Sequence, residues 1–551
     1  GSGLTYLAVA VAALVTAAPL VAFGGESWRG LGLFLAFGLT LASVFSGLMQ
    51  ALRVALAASN PVTAIARNVV SEAVRMRITV VFMVVLVVAL AALPGTLDAN
   101  TPLRYRVQAF LQYGTGGAFW LISLLTVFLA AGSVAFEQRD KIIWQTMTKP
   151  VKSWQYVLGK WLGVVGVSAV LLLASAAGVF LFTEYLRNGK APDERAPFVP
   201  ADETLAVTED RLVLESQILV ARETVRPTIP PADAAAINAE VKRRFDLAMQ
   251  EFNNDLTQVT PRPDEQRIML DVARDRLTEF LSVPPNLDRP QLYEFDGLKA
   301  AKQLGRPLTF RYRFNAGSNL PTELYRITFL VPGWNPQVVS APLGQTLSMT
   351  LSASAITEKQ VQNNDGSTGT DWVLPVYVFN GDLARQTVNR ETIVFPPDGL
   401  ELSYPVSDWR WNFFRAAVVL WLKTSFLAMV AIAASTFLSF PVACLTAFGV
   451  LWMAEGATFL ASALDNYGTI QGSEREFLWW RVPIIAIATP ISTIFRFYSD
   501  LSPVANVVEG RLLSWNLLVQ STVILGSLNA ALFAIGSFIF RRRELATYSG
   551  Q

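Results

Sequence analysis

Few residues in this chain are equipped for chemistry. The 551 residues include no histidine and one cysteine, Cys444, which sits inside an apolar run. Histidine metal sites, histidine acid–base catalysis and a disulfide within the chain are therefore excluded. A phosphate-binding loop needs G-x-x-x-x-G-K-[ST]. The Gly-Lys pairs Gly159-Lys160 and Gly189-Lys190 are followed by Trp161 and Ala191, so the chain carries no such loop. No catalytic residue, metal ligand or cofactor of its own is expected. The segment Asn363-Asn364-Asp365-Gly366-Ser367 reads as a hairpin turn, with a calcium loop as the alternative. Two ionisable residues stand out because they lie deep in apolar runs, Lys423 and Glu455. An isolated charge in lipid costs at least about 2.5 kcal/mol, so such residues face the protein interior. Each lies 16 residues from Ser439, where the two runs turn. At about 1.5 Å per residue both fall about 24 Å from that turn. They are expected at one depth, as a neutralising pair. A polar point on a substrate path and snorkelling to the outer surface are the alternatives.

A second set of polar residues fills the loop from Glu137 to Lys160. Charge follows directly on an apolar run, then comes a short amphipathic stretch with Ile142, Ile143 and Met147. Lys149-Pro150 stops it, because proline cannot continue a helix and restrains the residue before it. A further helix then climbs through Gly159-Lys160 into the next apolar run. Such a loop suits a lever for a partner. Its plainer reading is a basic hairpin that fixes topology.

The elements that carry these residues follow from hydropathy. Hydrophobic residues make up 52% of the chain and charged residues 16%, against about 25% charged in soluble domains. Runs long enough for a bilayer core of about 30 Å are Leu4–Phe23, Leu31–Ala51, Ile78–Leu93, Gly117–Phe136, Trp161–Phe182, Asn412–Phe437, Pro441–Leu464 and Asn516–Phe540. The first lacks the basic start of a signal peptide and is read as a span. Val482–Ile494 is short, holds Pro483 and Pro490, and is flanked by Trp479, Trp480, Arg481 and Arg496. It reads as a re-entrant or interfacial helix. Basic residues gather at 53–77, at 137–160 and in Arg541, Arg542 and Arg543. With these on the cytoplasmic side, both termini are inside and residues 184–411 are outside. That stretch holds 31 Asp and Glu against 24 Lys and Arg, the composition of a water-facing domain. Alternating runs over 307–407, such as Leu308-Thr309-Phe310-Arg311-Tyr312, are separated by Asn380-Gly381, Asp398-Gly399 and Pro332-Gly333. They predict an antiparallel sandwich. Residues 232–281 predict a helical pair, either a packed subdomain or a partner-binding arm.

The loop resembles that of ABC-2 type transporter permeases. The matching residues are Glu137, Thr146, Thr148-Lys149-Pro150-Val151 and Tyr156-Val157-Leu158-Gly159-Lys160. Asn68–Arg77 resembles the family's elbow helix, and Phe538-Ile539-Phe540-Arg541-Arg542-Arg543-Glu544-Leu545 its closing segment. The resemblance implies an α-helical polytopic membrane protein of about eight spans, with a six-helix core and an inserted β-rich α+β extracytoplasmic domain. Residues 1–52 are then two extra spans, 53–77 a loop and elbow, 78–183 core helices 1–3, and 412–551 core helices 4–6. It implies ATPase coupling by Glu137, Lys141, Thr146, Thr148, Lys149, Pro150, Val151, Tyr156, Gly159 and Lys160. The elbow helix would contribute Asn68, Glu72, Arg75 and Arg77. The implied partners are a separate ABC ATPase subunit, which binds ATP and Mg, a second permease copy or paralogue, and the lipid bilayer. No nucleic-acid partner is expected. The implied setting is a multi-pass protein of the inner (plasma) membrane, with export the expected direction. The alternative is a non-transporting scaffold or sensor that presents the outer domain; the many spans with short basic loops argue against it.

Overall fold

The computed structural model describes residues 26–57, 60–75, 77–98, 101–140, 151–189, 191, 194, 209–230, 234–254, 263, 265–317, 324–362, 368–465, 470–471 and 476–548. The first half begins with helices α1 (Glu26–Ala55), α2 (Pro61–Arg75), α3 (Arg77–Ala92), α4 (Leu103–Arg139) and α5 (Ser153–Asn188). Strand β1 (Val220–Val225) and helices α6 (Ala234–Asn254) and α7 (Glu265–Phe280) follow. Next come β2 (Gln291–Phe295), β3 (Leu308–Tyr312), β4 (Tyr325–Leu330), β5 (Gln337–Ala341) and β6 (Leu347–Leu351). The strands end with β7 (Thr357–Gln362), β8 (Thr368–Phe379) and β9 (Leu400–Asp408). The chain closes with α8 (Trp409–Ser435), α9 (Phe440–Glu455), α10 (Ala457–Asp465), α11 (Arg481–Asp500), α12 (Pro503–Val508) and α13 (Trp515–Tyr548).

Two compact units result. One is helical: Gly1–Ala221, Asp408–Tyr467 and Pro483–Gln551. The other is β-rich: Arg222–Ser407 and Gly468–Val482. Among the described residues, five helices are long and apolar enough to cross a membrane: Phe34–Ala55, Leu103–Arg139, Ser153–Asn188, Trp409–Ser435 and Trp515–Arg542. A sixth arises if Arg481–Pro490 and Phe495–Val508, bent by 63°, count as one span. Val81–Thr96 and Phe440–Glu455 are apolar but shorter. The run Leu4–Phe23 and the turn Asn363–Ser367 lie outside the described residues. Two apolar runs differ in form from the sequence expectation. Pro441–Leu464 is interrupted at Gly456, which separates α9 from α10. The short segment Val482–Ile494 belongs to a helix that continues to Asp500, with Pro490 inside it.

Within the stretch 184–411 read as an outer domain, the β-rich unit starts at Arg222, and the preceding segment is tied to helix ends. Asp210 accepts the backbone N–H of Leu103 at 2.6 Å and of Arg104 at 3.3 Å, where Pro102 provides no side-chain cap for α4. Arg211, fully buried, donates to the carbonyls of Arg187 and Gly189 at the end of α5 and grips Glu194 with two bonds. An acid thus meets a helix N-terminus and a base a C-terminus, as the helix dipole favours, and both leave fewer orphan backbone groups.

The β-rich unit is a sandwich. One sheet has the order β1-β9-β3-β6; the other has β2-β8-β4-β5, with β7 also on β8. Aromatic side chains of the two sheets meet edge to face: Phe310 with Phe329 at 5.4 Å and Phe295 with Phe310 at 5.8 Å. β8 leaves its partner β7 after Val373 and takes up β2 at Leu374. Pro375, which has no N–H to give, sits beside this change and opposite Glu294. α6 and α7 form the helical pair, joined by Arg244–Asp275 at 2.6 Å.

Candidate functional site: a buried charge cluster at a helix junction

The first site is assembled from α2, α4, α5 and α13. Asn60 opens α2 by accepting the Val62 N–H at 3.0 Å, with Pro61 as first helical residue. Apolar residues then recur at helical spacing, and Val62, Ile65, Ala66, Val69, Val70 and Ala73 are buried. This face lies on the first turns of α5, where side chains are absent. A Cβ on Gly159 would stand 2.7 Å from Ile65 Cβ and 2.9 Å from the Val62 carbonyl oxygen. A Cβ on Gly163 would stand 2.7 Å from Val69 Cβ and 2.8 Å from the Ala66 carbonyl oxygen. Gly159 and Gly163 form a small-xxx-small pair that lets the backbones approach.

The charges sit beside this contact. Glu137 is in the last turn of α4, where the dipole disfavours a carboxylate. Lys160 Nζ donates to its Oε1 at 2.6 Å and the Tyr156 hydroxyl to its Oε2 at 2.7 Å. Glu72, on α2, lies 4.0 Å from Lys160. The Lys160 side chain is 2% exposed. Burial holds the Glu72 carboxyl above its ordinary value; the Lys160 ammonium opposes this and the Glu137 carboxylate adds to it. The Tyr156 ring stacks on Phe540 of α13 at 5.0 Å and 8°. The end of α4, the start of α5, the amphipathic helix α2 and α13 thus converge on one node.

The second site lies between α8, α9 and α11. Lys423 Nζ is 3.1 Å from Glu455 Oε1. The Lys423 side chain is 2% exposed and that of Glu455 28%. The ammonium lies 4.3 Å from the Tyr498 ring centroid and 6.0 Å from that of Phe119, positions where aromatic faces attract a cation. Glu455 is the last residue of α9, so here too a carboxylate ends a helix. Its backbone carbonyl, released by the break at Gly456, accepts the Ser499 hydroxyl at 3.0 Å. Thr458 donates its own hydroxyl to Ser499 Oγ at 2.7 Å.

Of the residues singled out by sequence, the structure brings Glu72, Glu137, Tyr156, Gly159 and Lys160 together, and Lys423 with Glu455. Asn68 and Arg75 are exposed on α2, and Arg77 opens α3. Val151 is half-buried against the helical core. Lys141, Thr146, Thr148, Lys149 and Pro150 lie outside the described residues. Sequence reasoning missed Gly163, Tyr498, Ser499, the Asp210–Arg211 clasp and the stacking of Phe540, named only as part of the closing segment, on Tyr156. The Gly159-x-x-x-Gly163 spacing was a usable signal for the first; the others carry none that spacing reveals. Among the described residues no group of three His, Cys, Asp or Glu side chains is placed to hold a metal ion.

Compared with known proteins, the chain matches no protein-family model, no curated protein and no solved structure.

Proposed function

We propose that the chain is the membrane permease subunit of an ABC-2 type exporter, driven by a separate ATPase that docks on the 137–160 loop. In this reading Leu4–Phe23, α3 and α9 complete eight spans, both termini are cytoplasmic, and the sandwich lies on the far side. ATP binding closes two nucleotide-binding subunits, and the loop receives that motion. Lys160, Glu137 and Tyr156 join the two arms of the loop, so α4 and α5 move as one with α2. One observation carries the reading: the end of α4 and the start of α5 are joined by an ion pair between Glu137 and the buried Lys160, against an amphipathic helix seated on Gly159 and Gly163. A loop that only fixed topology would have no need of such a clamp.

The test is affinity purification of the full chain from its host's membranes in mild detergent, beside a variant with Lys149→Glu and Pro150→Gly. An ATPase with a phosphate-binding loop is expected with the first and not with the second. Its absence from both rejects the permease in favour of a scaffold presenting the β-rich unit.

A further inference from the structure

Beside the seam between α1 and α5 runs a groove that none of the charged sites explains. Two contacts mark the seam beside the groove. Phe37 meets Phe182 edge to face at 5.1 Å, and Leu41 fills the space over Gly178, where a Cβ would lie 2.5 Å from Leu41 Cδ2. Alongside it, Ala36, Thr40 and Val44 of α1 and Ala177, Gly178 and Leu181 of α5 line a groove of about 200 Å3, open to the surface. Ala36, Thr40 and Val44 are successive i, i+4 positions and form one strip. Eight residues at about 1.5 Å each make it about 12 Å long.

Three things could fill it. An empty gap forfeits the dispersion contacts of its lining, which close-packed interiors do not leave unused. Water needs two to four polar partners, and the one polar side chain in the lining, Thr40, already donates its hydroxyl to the Ala36 carbonyl at 2.7 Å. Hydrocarbon needs none. Both helices are long and apolar enough to span, and among the described residues only 11% of the α1 span is buried, so in a bilayer acyl chains reach the groove at this depth. We propose that the groove is a lipid site, holding one acyl chain of a bilayer phospholipid in slow exchange with the bulk. This requires that α1 and α5 span the bilayer and is independent of any ATPase partner.

The probe is a phosphatidylcholine with a mid-chain diazirine, in liposomes containing the full chain. After photolysis, adducts are mapped on residues 36–44 and 177–181. The reference is the exposed apolar face of α13 at Val519 and Val523. Adducts in the groove are expected at about tenfold the reference, a preference of about 1.4 kcal/mol over bulk lipid. They should fall to the reference level in Ala177→Phe and persist in Thr40→Val, which keeps the shape and removes the hydroxyl. Ala36→Leu narrows the groove more gently and should lower the yield even if Ala177→Phe does not fold. Adducts at the reference level in the unaltered chain overturn the proposal, since the groove then meets only passing lipid. Adducts at the reference face but none in the groove overturn it in favour of cover by another segment or a second copy.

Discussion

Two lysines in the helical unit are equally buried, and their surroundings differ. Lys160 and Lys423 each answer a glutamate near the C-terminal end of a helix, Glu137 on α4 and Glu455 on α9. Around Lys160 the charge is over-compensated: two carboxylates, a tyrosine hydroxyl and a close helix–helix contact enclose one ammonium. Around Lys423 there is one carboxylate, itself partly exposed, and the balance comes from aromatic faces. The same problem, a carboxylate facing a helix dipole in an apolar bundle, is solved by a crowded polar lock in one place and by a single adjustable pair in the other. The lock joins four elements at a loop; the pair sits at a helix break where the Ser499 hydroxyl donates to the freed Glu455 carbonyl and in turn accepts from the Thr458 hydroxyl.

The largest effect is expected at the lock. Lys160→Met leaves Glu137 and Glu72 facing each other without a counter-charge and should cost about 3–5 kcal/mol, read as a fall in the unfolding midpoint of the purified protein in detergent. A milder loss than that from breaking the Lys423 pair would reverse the comparison. At the pair, the two single variants should differ. Glu455→Gln strands an ammonium that cannot reach water and should cost about 3 kcal/mol. Lys423→Met leaves a carboxylate that is 28% exposed and should cost about 1–2 kcal/mol. The double variant should lie close to the unaltered protein; additive losses would mean that the two side chains are not a unit. Next comes the backbone contact. Gly159→Ala forces α2 and α5 apart and should cost about 1–3 kcal/mol, whereas Gly526→Ala, with nothing within 4 Å of the new Cβ, should be neutral. Equal effects would remove the close contact from the description of the lock.

The smallest effect concerns pH. Burial raises Glu72 above its ordinary value of 4.5, so the folded protein holds that proton more tightly than the unfolded chain. The stability this contributes is complete below pH 4.5 and is lost as pH rises through the folded value. Glu72→Gln should therefore flatten the dependence of the unfolding midpoint on pH across that window and leave stability at neutral pH equal or higher. An unchanged slope would assign the titration to another group.

Some of this was legible before any coordinates. Long apolar runs dictate helices, because only a hydrogen-bonded helix satisfies its backbone without water. The alternating runs over 307–407 dictate strands, since period two places one face inward. Lys423 and Glu455 could be set at one depth by counting residues from Ser439, because helix rise is constant. What periodicity cannot give is azimuth and distance between segments remote in the chain. That Phe540 stacks on Tyr156, that Tyr498 lies under Lys423, and that adjacent Asp210 and Arg211 cap opposite ends of two different helices depend on contacts spanning up to about 400 residues of chain. Local hydropathy and the cost of an unpaired charge were enough to say which segments are apolar helices and strands and which charges must find partners. Which partners they find rests on how closely backbones approach in the folded chain, and at α2 and α5 it is the missing side chains of Gly159 and Gly163 that permit it.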